Sequence, residues 1–338
     1  MSGNSMLRAE IMGAARNFLV DFLAFEADKD LLITTDTARA VGVVEALQAV
    51  AIEVGARFTT VTIPQLPYQG KLADPYLPRA LVAAIKECDL WVDLTYPYIA
   101  GADAHVEAMK TEGLRYMLSS DMSAEAMIRM FGDGVLDALY PPQSELETLI
   151  ANSVGKTMRM TTPSGTDVTF ALAESLDMSP RRATRSGLHF LPGSCLIAPE
   201  IESVRGKIVL ESCFHEYYTE LREPIELEVD GRIQSVRGGG TERATMERAL
   251  LRAGGGQYGY IIHFAHGMHP QARFTGECFV EDIRVVGSNA IGMGLPFWVP
   301  EGGENHPDGV ATMQSVWLDG RQIIQDGQIL DLPVVAKD

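Results

Sequence analysis

Two segments near the end of the chain carry side chains that bind transition metals. Residues 305–308 read Asn-His-Pro-Asp, which places the His306 imidazole two residues before the Asp308 carboxylate. Three more histidines stand upstream in IIHFAHGMHP, a segment that resembles a strand end breaking into a turn, at positions 263, 266 and 269. One of them would complete a set of two histidines and one carboxylate, which binds non-haem Fe(II) and leaves positions open for other ligands. The spacing predicts one metal ion and leaves open which of His263, His266 and His269 binds it.

A His-x-Asp pair by itself is more often solvated than bound to metal, but the other motifs in the chain are weaker signals of chemistry. The four cysteines form no CxxC pair, which excludes a zinc ribbon and a dithiol redox motif. The glycine-rich segment 237–245 lacks the Lys-Ser/Thr of a phosphate loop, and segment 287–294 lacks the spacing of a dinucleotide fingerprint. No GxSxG nucleophile motif is present. The metal site remains the strongest chemical hypothesis.

Charge and composition narrow the class of protein. The chain has 338 residues, 46% of them apolar, and 28 Lys and Arg against 45 Asp and Glu, a formal charge of −17. A surface this acidic repels phosphates, so binding to nucleic acid or to an anionic membrane is not expected. The first residues lack the apolar run of a signal peptide, and no stretch reaches the roughly 18 to 20 apolar residues that span a bilayer. We therefore expect a soluble cytoplasmic protein.

The first part of the chain alternates strand-like and helix-like patterns. Residues 31–37 and 58–64 are rich in apolar and β-branched residues, and residues 38–55 between them have helical spacing and a closing Gly. Two more helix–strand units follow and end in LWVDLTYPY and LRYMLSS. This order is typical of a parallel sheet covered by helices. It predicts a doubly wound α/β domain over residues 1–150.

The composition changes in the second part. Residues 156–173 form two alternating segments joined by Pro-Ser-Gly-Thr, and Asp-Gly pairs at 230–231 and 319–320 mark further hairpins. One helix is predicted over 241–256, with Thr241 as its N-cap and glycines at its end. These patterns predict a strand-rich α+β domain over residues 151–338, which would carry the metal site.

The order of motifs from HFAHGMHPQAR through GSNAIGMG and ENHPD to VWLDGRQIIQDGQIL resembles the 2,5-dihydroxypyridine 5,6-dioxygenases. Those enzymes belong to a larger group that includes the thermophilic-type metallo-aminopeptidases. The resemblance covers roughly residues 20–335 and is clearest after residue 185. It implies that His263, His306 and Asp308 bind the metal, and that His189 in GLHFLPGS is an active-site histidine that does not.

Departures from the aminopeptidases favour the dioxygenase branch. Where those enzymes have two glutamates, a histidine and a catalytic tyrosine, this chain has Cys195, His263, Ala290 and Phe297. A two-metal hydrolase would lack groups that bridge its ions and stabilise its oxyanion.

The chain also departs from the dioxygenases. Their proton-transfer histidine has Tyr98 or Ile99 as its nearest equivalent here, with His105 further along. Their serine contact to iron has no clear counterpart, and Gly292 or Ser288 are the candidates. The resemblance therefore implies the same scaffold with a different substrate.

The combined expectation is an enzyme with one Fe(II) per chain that cleaves a hydroxylated aromatic or N-heteroaromatic ring with O2. His189 would transfer protons, and four side chains would contact the substrate: Tyr98, His105, Arg273 and Phe297. Arg273 would pair with a substrate anion, unless it forms a structural salt bridge. The alternatives are a hydrolase that uses Zn or Mn and a ligand-binding protein without activity. Strand edges and apolar loops, together with the oligomers that are typical of the family that the chain resembles, further imply a homo-oligomer, a dimer or a hexamer.

Overall fold

The computed structural model describes residues 3–38, 41–174, 180–215, 217–296 and 307–332, without the side chains of residues 3–8 and 41. It contains two compact units, Met1–Ala138 with Pro180–Leu191, and Leu139–Ser179 with Pro192–Asp338. Its mixed architecture, a parallel sheet and a strand-rich antiparallel sheet, confirms the predicted fold class. The domain boundaries predicted from composition, 1–150 and 151–338, stay a prediction that limited proteolysis tests.

The secondary structure alternates helices and strands first and is mainly strands afterwards. The helices are α1 (Gly3–Arg16), α2 (Val41–Glu53), α3 (Arg79–Ile85), α4 (Asp103–Ala108), α5 (Ala124–Phe131), α6 (Val135–Ala151), α7 (Glu242–Ala253) and α8 (Phe279–Asp282). The strands are β1 (Asp30–Asp36), β2 (Arg57–Ile63), β3 (Leu90–Asp93), β4 (Arg115–Leu118), β5 (Thr157–Thr161), β6 (Asp167–Ala171), β7 (Gly187–Phe190), β8 (Ser194–Ile197), β9 (Arg205–Phe214), β10 (Tyr218–Asp230), β11 (Arg232–Gly238), β12 (Tyr260–Gly267), β13 (Asn289–Gly294), β14 (Asp308–Ala311), β15 (Ser315–Leu318), β16 (Arg321–Gln325) and β17 (Gln328–Ile329). A π-helical turn, Asn17–Phe22, follows α1 directly.

The first unit is built on a parallel sheet of order β2-β1-β3-β4-β7. Apolar runs in the sequence predicted this sheet. Strands β1 and β3 are buried almost throughout, because helices cover both faces of a parallel sheet. Trp91 and Tyr116 belong to its apolar core. Strand order reverses between β1 and β3, and ligands of doubly wound folds bind at the carboxyl ends of the strands at such a point.

The second unit contains an antiparallel sheet that curls on itself. Strands β9 to β14 pair in sequence, and β14 pairs back with β9, so they form a closed ring. Strands β6, β5, β15, β16 and β17 extend the sheet from β9, and β8 pairs with β12. Phe264 of β12 and Ile291 of β13 belong to the apolar core on one face. The closed ring leaves the opposite face of these strands for other side chains.

Two local features differ from the sequence interpretation. Thr241 occupies the N-cap of α7, but its side chain makes no capping hydrogen bond. The strand that contains His189, β7, pairs with β4 of the parallel sheet although it follows the β5–β6 hairpin in sequence. Within the described residues, no helix combines the length and the apolar character needed to cross a membrane.

Candidate active site

A histidine and an aspartate meet across three neighbouring strands of the ring. His263 of β12 pairs with Gly292 of β13, and Gly292 pairs with Asp308 of β14. Residues paired directly across strands point to the same face. Gly292 places no side chain between them, and His263 Nε2 lies 3.3 Å from Asp308 Oδ1. The Asp308 side chain is 6% exposed and the His263 side chain 19%.

Small and aromatic side chains neighbour the pair on this face. Ala265 and Ala290 form the next row beside the pair. On the other side of Asp308, Phe214 of β9 follows in the same row and stacks on Phe279 with ring centroids 4.3 Å apart. The face around the His–Asp pair therefore has a floor of small residues and an aromatic wall, which suits a flat ligand.

Tyr218 continues the row on β10 and is fixed by hydrogen bonds. Its hydroxyl donates to Asp282 Oδ2 at 2.8 Å, and its ring meets the edge of Phe279. Asp282 also accepts the backbone N–H of Gly276 at 2.7 Å, and burial raises the pKa of this carboxyl. The aromatic wall is thereby anchored to the segment before α8.

The His–Asp pair fits two ligands of one divalent ion. Donor atoms at about 2.1 Å from an ion lie about 3.0 to 3.4 Å apart for octahedral to tetrahedral angles. The 3.3 Å between His263 Nε2 and Asp308 Oδ1 falls in this range. An imidazole and a carboxylate are also the donors of the iron set predicted from the sequence. Within the described ranges no three His, Cys, Asp or Glu side chains cluster as a metal site, and His306, the third predicted ligand, lies outside those ranges.

The other two upstream histidines have different surroundings. Strand β12 ends at Gly267 and a turn follows at Pro270, so the histidine segment is the strand end breaking into a turn that the sequence predicted. Alternation along β12 places His266 on the core face, opposite to His263. His269 lies beyond the strand, where its Nδ1 accepts the backbone N–H of Ala272 at 3.1 Å. Of the three histidines, His263 is the one that shares a face with Asp308.

His189 lies in β7 of the first unit and is held by its backbone surroundings. Its Nε2 lies 2.6 Å from the Arg185 carbonyl oxygen, which must accept the hydrogen. This bond places the imidazole proton on Nε2 and leaves Nδ1 as the acceptor. Burial lowers the pKa of His189, so the ring is neutral near pH 7. A neutral imidazole with a defined acceptor is suited to take up a proton.

Tyr98 lies in the loop after β3, at the carboxyl edge of the parallel sheet. The loop is fixed by the buried carboxylate of Asp93, which accepts the backbone N–H of Ile99 at 3.0 Å and the Tyr116 hydroxyl at 2.7 Å. Two further donors come from Thr95, its backbone N–H and its hydroxyl. Burial raises the pKa of Asp93, whereas these hydrogen bonds favour its charged form. Asp93 therefore fixes the segment that carries Tyr98.

His105 packs inside the first unit. Its ring lies against Tyr116, with centroids 4.7 Å apart, and its Nδ1 accepts the backbone N–H of Gly101 at 3.2 Å. These contacts connect α4 to the loop before it.

Acid should destabilise the fold through His105. Burial lowers its pKa from 6.5 to about 4, so below pH 6.5 the unfolded chain takes up a proton that the folded chain excludes. Between these values, the free energy of unfolding should fall by about 1.4 kcal/mol per pH unit as the pH decreases. Urea unfolding at pH 7 and pH 5 measures this, and His105→Gln should remove that part of the slope. An identical slope in the variant would contradict it.

The last two predicted substrate contacts are placed differently. Arg273 is exposed, and its backbone N–H donates to Glu281 Oε1 at 3.0 Å. Within the part of the chain that the structure describes, its guanidinium makes no ion pair, so the alternative of a structural salt bridge gains no support. Phe297 lies outside the described residues.

The family model described as NicX: 2,5-dihydroxypyridine 5,6-dioxygenase matches residues 21–331. This span is most of the chain. The chain belongs to the 2,5-dihydroxypyridine 5,6-dioxygenase family. A search of curated proteins gave no match.

Two solved structures share the fold of this family member. The 2,5-dihydroxypyridine dioxygenase from Pseudomonas putida KT2440 is 18% identical, with a TM-score of 0.72 over 98% of this chain and 99% of that chain. Wild-type AmpT from Thermus thermophilus is 14% identical, with a TM-score of 0.68 over 95% of this chain and 99% of that chain. At these identities the likeness shows the fold alone. The family match, which names a dioxygenase, supports that branch of the resemblance.

The aromatic wall of this dioxygenase-family chain was not predicted from the sequence. Phe214 ends β9 and Tyr218 begins β10, and the pairing of these two strands places both rings in one row, which no local sequence pattern indicates. Phe279 follows a loop and has no local signal either, because its stacking on Phe214 depends on tertiary folding.

Gly292→Ala tests whether the gap between His263 and Asp308 matters. Gly292 lies in the extended strand β13, so the backbone accepts alanine, but the added methyl group projects between the two donors. We expect the affinity for Fe(II) or Co(II), measured by anaerobic calorimetry, to fall at least about 10-fold. Gly13→Ala in α1, where an added Cβ meets nothing within 4 Å, is the matched control. Equal affinity in Gly292→Ala and wild type would contradict the site.

Proposed function

We propose that this protein is a mononuclear non-haem Fe(II) dioxygenase that opens a hydroxylated aromatic or N-heteroaromatic ring, similar to 2,5-dihydroxypyridine, with O2. The observation that carries the proposal is the His263–Asp308 pair, whose donor atoms lie 3.3 Å apart across Gly292 in a chain of this family. In such a reaction a ring bond breaks, both atoms of O2 enter the product, and no external reductant is consumed.

His263, Asp308 and His306 would hold one iron ion per chain. When bound, the ion supplies open positions at which a chelating substrate and O2 are brought together. The small side chains of Ala265 and Ala290 leave room beside the pair, and the wall of Phe214 and Phe279 would orient a flat ring by stacking. The nearly complete burial of Asp308 supports a site from which water is largely excluded.

His189 would accept a proton from a substrate hydroxyl at Nδ1 and return it to the product. Its bond to the Arg185 carbonyl fixes the tautomer, which supports this role. Four substrate contacts stay predictions: Tyr98, His105, Arg273 and Phe297. Of these, Tyr98 lies on the loop that Asp93 fixes. The cytoplasmic location and the homo-oligomer, a dimer or a hexamer, also stay predictions, and light scattering tests the latter.

The direct test is oxygen consumption by the protein after anaerobic purification and reconstitution with Fe(II), Zn(II) or Mn(II). A panel of dihydroxypyridines, aminophenols and peptide amides separates the candidate reactions. We expect oxygen uptake with Fe(II) and a hydroxylated ring, in a one-to-one ratio to product. Amide cleavage with Zn(II) or Mn(II) and no oxygen uptake would support the hydrolase instead. Binding without turnover of any compound would support a ligand-binding protein.

A further inference from the structure

Three polar side chains lie together in the apolar core of the second unit. His266 is 2% exposed, and Asn289 and Gln314 are fully buried. The side-chain amide of Asn289 donates to His266 Nδ1, and Gln314 Nε2 lies 3.5 Å from the same atom. Among the described residues, each of the three also has a buried atom without a hydrogen-bond partner: His266 Nε2, Asn289 Oδ1 and Gln314 Oε1.

Such a cluster lowers the stability of the core. Buried polar atoms without partners are costly, and apolar side chains of similar shape would avoid that cost. Burial lowers the pKa of His266 to about 4, so its ring stays neutral and Nδ1 remains an acceptor at neutral pH. Three buried polar side chains on one core face therefore indicate a role other than stabilising the fold.

The cluster joins the three strands that carry the His–Asp pair. His266 and Asn289 are directly paired between β12 and β13, three rows from the pair formed by His263 and Gly292. Gln314 lies in the loop after β14, where its backbone N–H donates to the Gly287 carbonyl just before β13. The polar cluster thus lies at one end of the same three strands, on the opposite face.

The middle strand specifies its own register only weakly. Strand β13 reads NAIGMG, and the residues on the His263 face are Ala290, Gly292 and Gly294. Register is weakly determined in glycine-rich strands, because they offer few side chains for packing. A shift of two residues would keep every side chain on its face while moving Gly292 about 7 Å along the strand. His263 and Asp308 would then no longer lie opposite each other.

We propose that His266, Asn289 and Gln314 form a positioning cluster that fixes the register of β12, β13 and β14 and so holds His263 opposite Asp308. A hydrogen bond between two side chains in the core forms in one register only. Apolar contacts are not directional and can form in more than one register. Buried polar residues set the register of packed elements in this way in other proteins. The proposal rests on the proposed function only where it takes the His–Asp pair as a metal site.

The test compares Asn289→Leu and Gln314→Met with Asn289→Ser, in which a hydroxyl can still donate to His266 Nδ1. Thr166→Val is the matched control, because it removes a buried hydroxyl that bonds the Val209 backbone elsewhere in the same unit. Three quantities are measured on the full-length protein: hydrogen exchange of residues 289–294, the affinity for Co(II), and the urea midpoint.

In Asn289→Leu and Gln314→Met we expect exchange of residues 289–294 to rise at least about 10-fold and Co(II) affinity to fall about 10-fold, the size seen for residues that orient metal ligands. The urea midpoint should stay equal or rise. Asn289→Ser should retain the exchange rates and affinity of the wild type, and Thr166→Val should change neither.

Unchanged exchange and affinity in Asn289→Leu would overturn the positioning cluster. A parallel fall of affinity and urea midpoint that Asn289→Ser does not rescue would overturn it too, because that pattern marks a general packing role. If the wild type itself fails to bind Co(II), the proposed function is wrong, and hydrogen exchange alone still decides the register claim.

Discussion

His263→Ala should abolish metal binding, and ring cleavage with it. The change removes one of the two donors that meet across Gly292, and a carboxylate without its imidazole neighbour holds a divalent ion poorly. Residues that only orient a metal ligand already contribute 10- to 100-fold in affinity, so loss of the ligand itself should exceed about 100-fold. Calorimetry with Fe(II) under argon and metal analysis of the purified variant measure the effect.

Asp308→Asn should have a similar effect, since it keeps the shape of the side chain and removes its charge. The matched control is Asp167→Asn, which removes a carboxylate from an exposed ion pair with Arg159 in the same unit. That variant should bind metal as the wild type does. Full metal content in His263→Ala, with wild-type folding, would show that the ion, if there is one, binds elsewhere.

His189→Ala should lower turnover by roughly 100-fold or more while metal content and substrate affinity change little. The imidazole is the acceptor that the Arg185 carbonyl orients, and alanine offers none. Steady-state rates, Michaelis constants and metal analysis on the same preparation separate these quantities. Equal losses of metal and turnover would make His189 a ligand or a structural residue, and unchanged turnover would remove it from the mechanism.

The pH profile gives His189 a second signature. Burial lowers its pKa below the ordinary 6.5, so the base form is lost only when the pH falls below that value. The wild-type kcat/KM should therefore decline on the acid side below about pH 6.5, and His189→Ala should lack that decline. His189→Gln, whose amide nitrogen can still donate to the Arg185 carbonyl from the position of Nε2, is the control for strand structure and should be equally slow.

The sequence predicts the first sheet well because its signals are local. Strands β1 to β4 follow apolar runs with helical spacing between them, and β1 occupies Asp30–Asp36 where residues 31–37 were expected. Strand β7 has no comparable signal. Its four residues, GLHF, join β4 only after the chain has passed through the β5–β6 hairpin of the second unit. A pairing so distant in sequence depends on tertiary folding, which periodicity does not report.

The residue types of the candidate site could be predicted from the sequence, but their arrangement could not, because it depends on tertiary folding. Residue types and the family resemblance pointed to His263 and Asp308, but only the register of β12, β13 and β14 brings them to 3.3 Å. The residue spacing left open which of the three histidines binds the metal, and the period of two along β12 places His263 and His266 on opposite faces. The wall of Phe214 and Phe279 arises from packing between distant segments and was therefore missed.

Labelled oxygen tests the central claim most directly. The protein, reconstituted with Fe(II), is supplied with a hydroxylated pyridine under 18O-labelled O2, and the product is analysed by mass spectrometry. A ring-cleaving dioxygenase incorporates both labelled atoms into the opened product, and His263→Ala should form none. Product that carries no labelled oxygen, or that forms equally well without O2, would contradict the account and support a hydrolase.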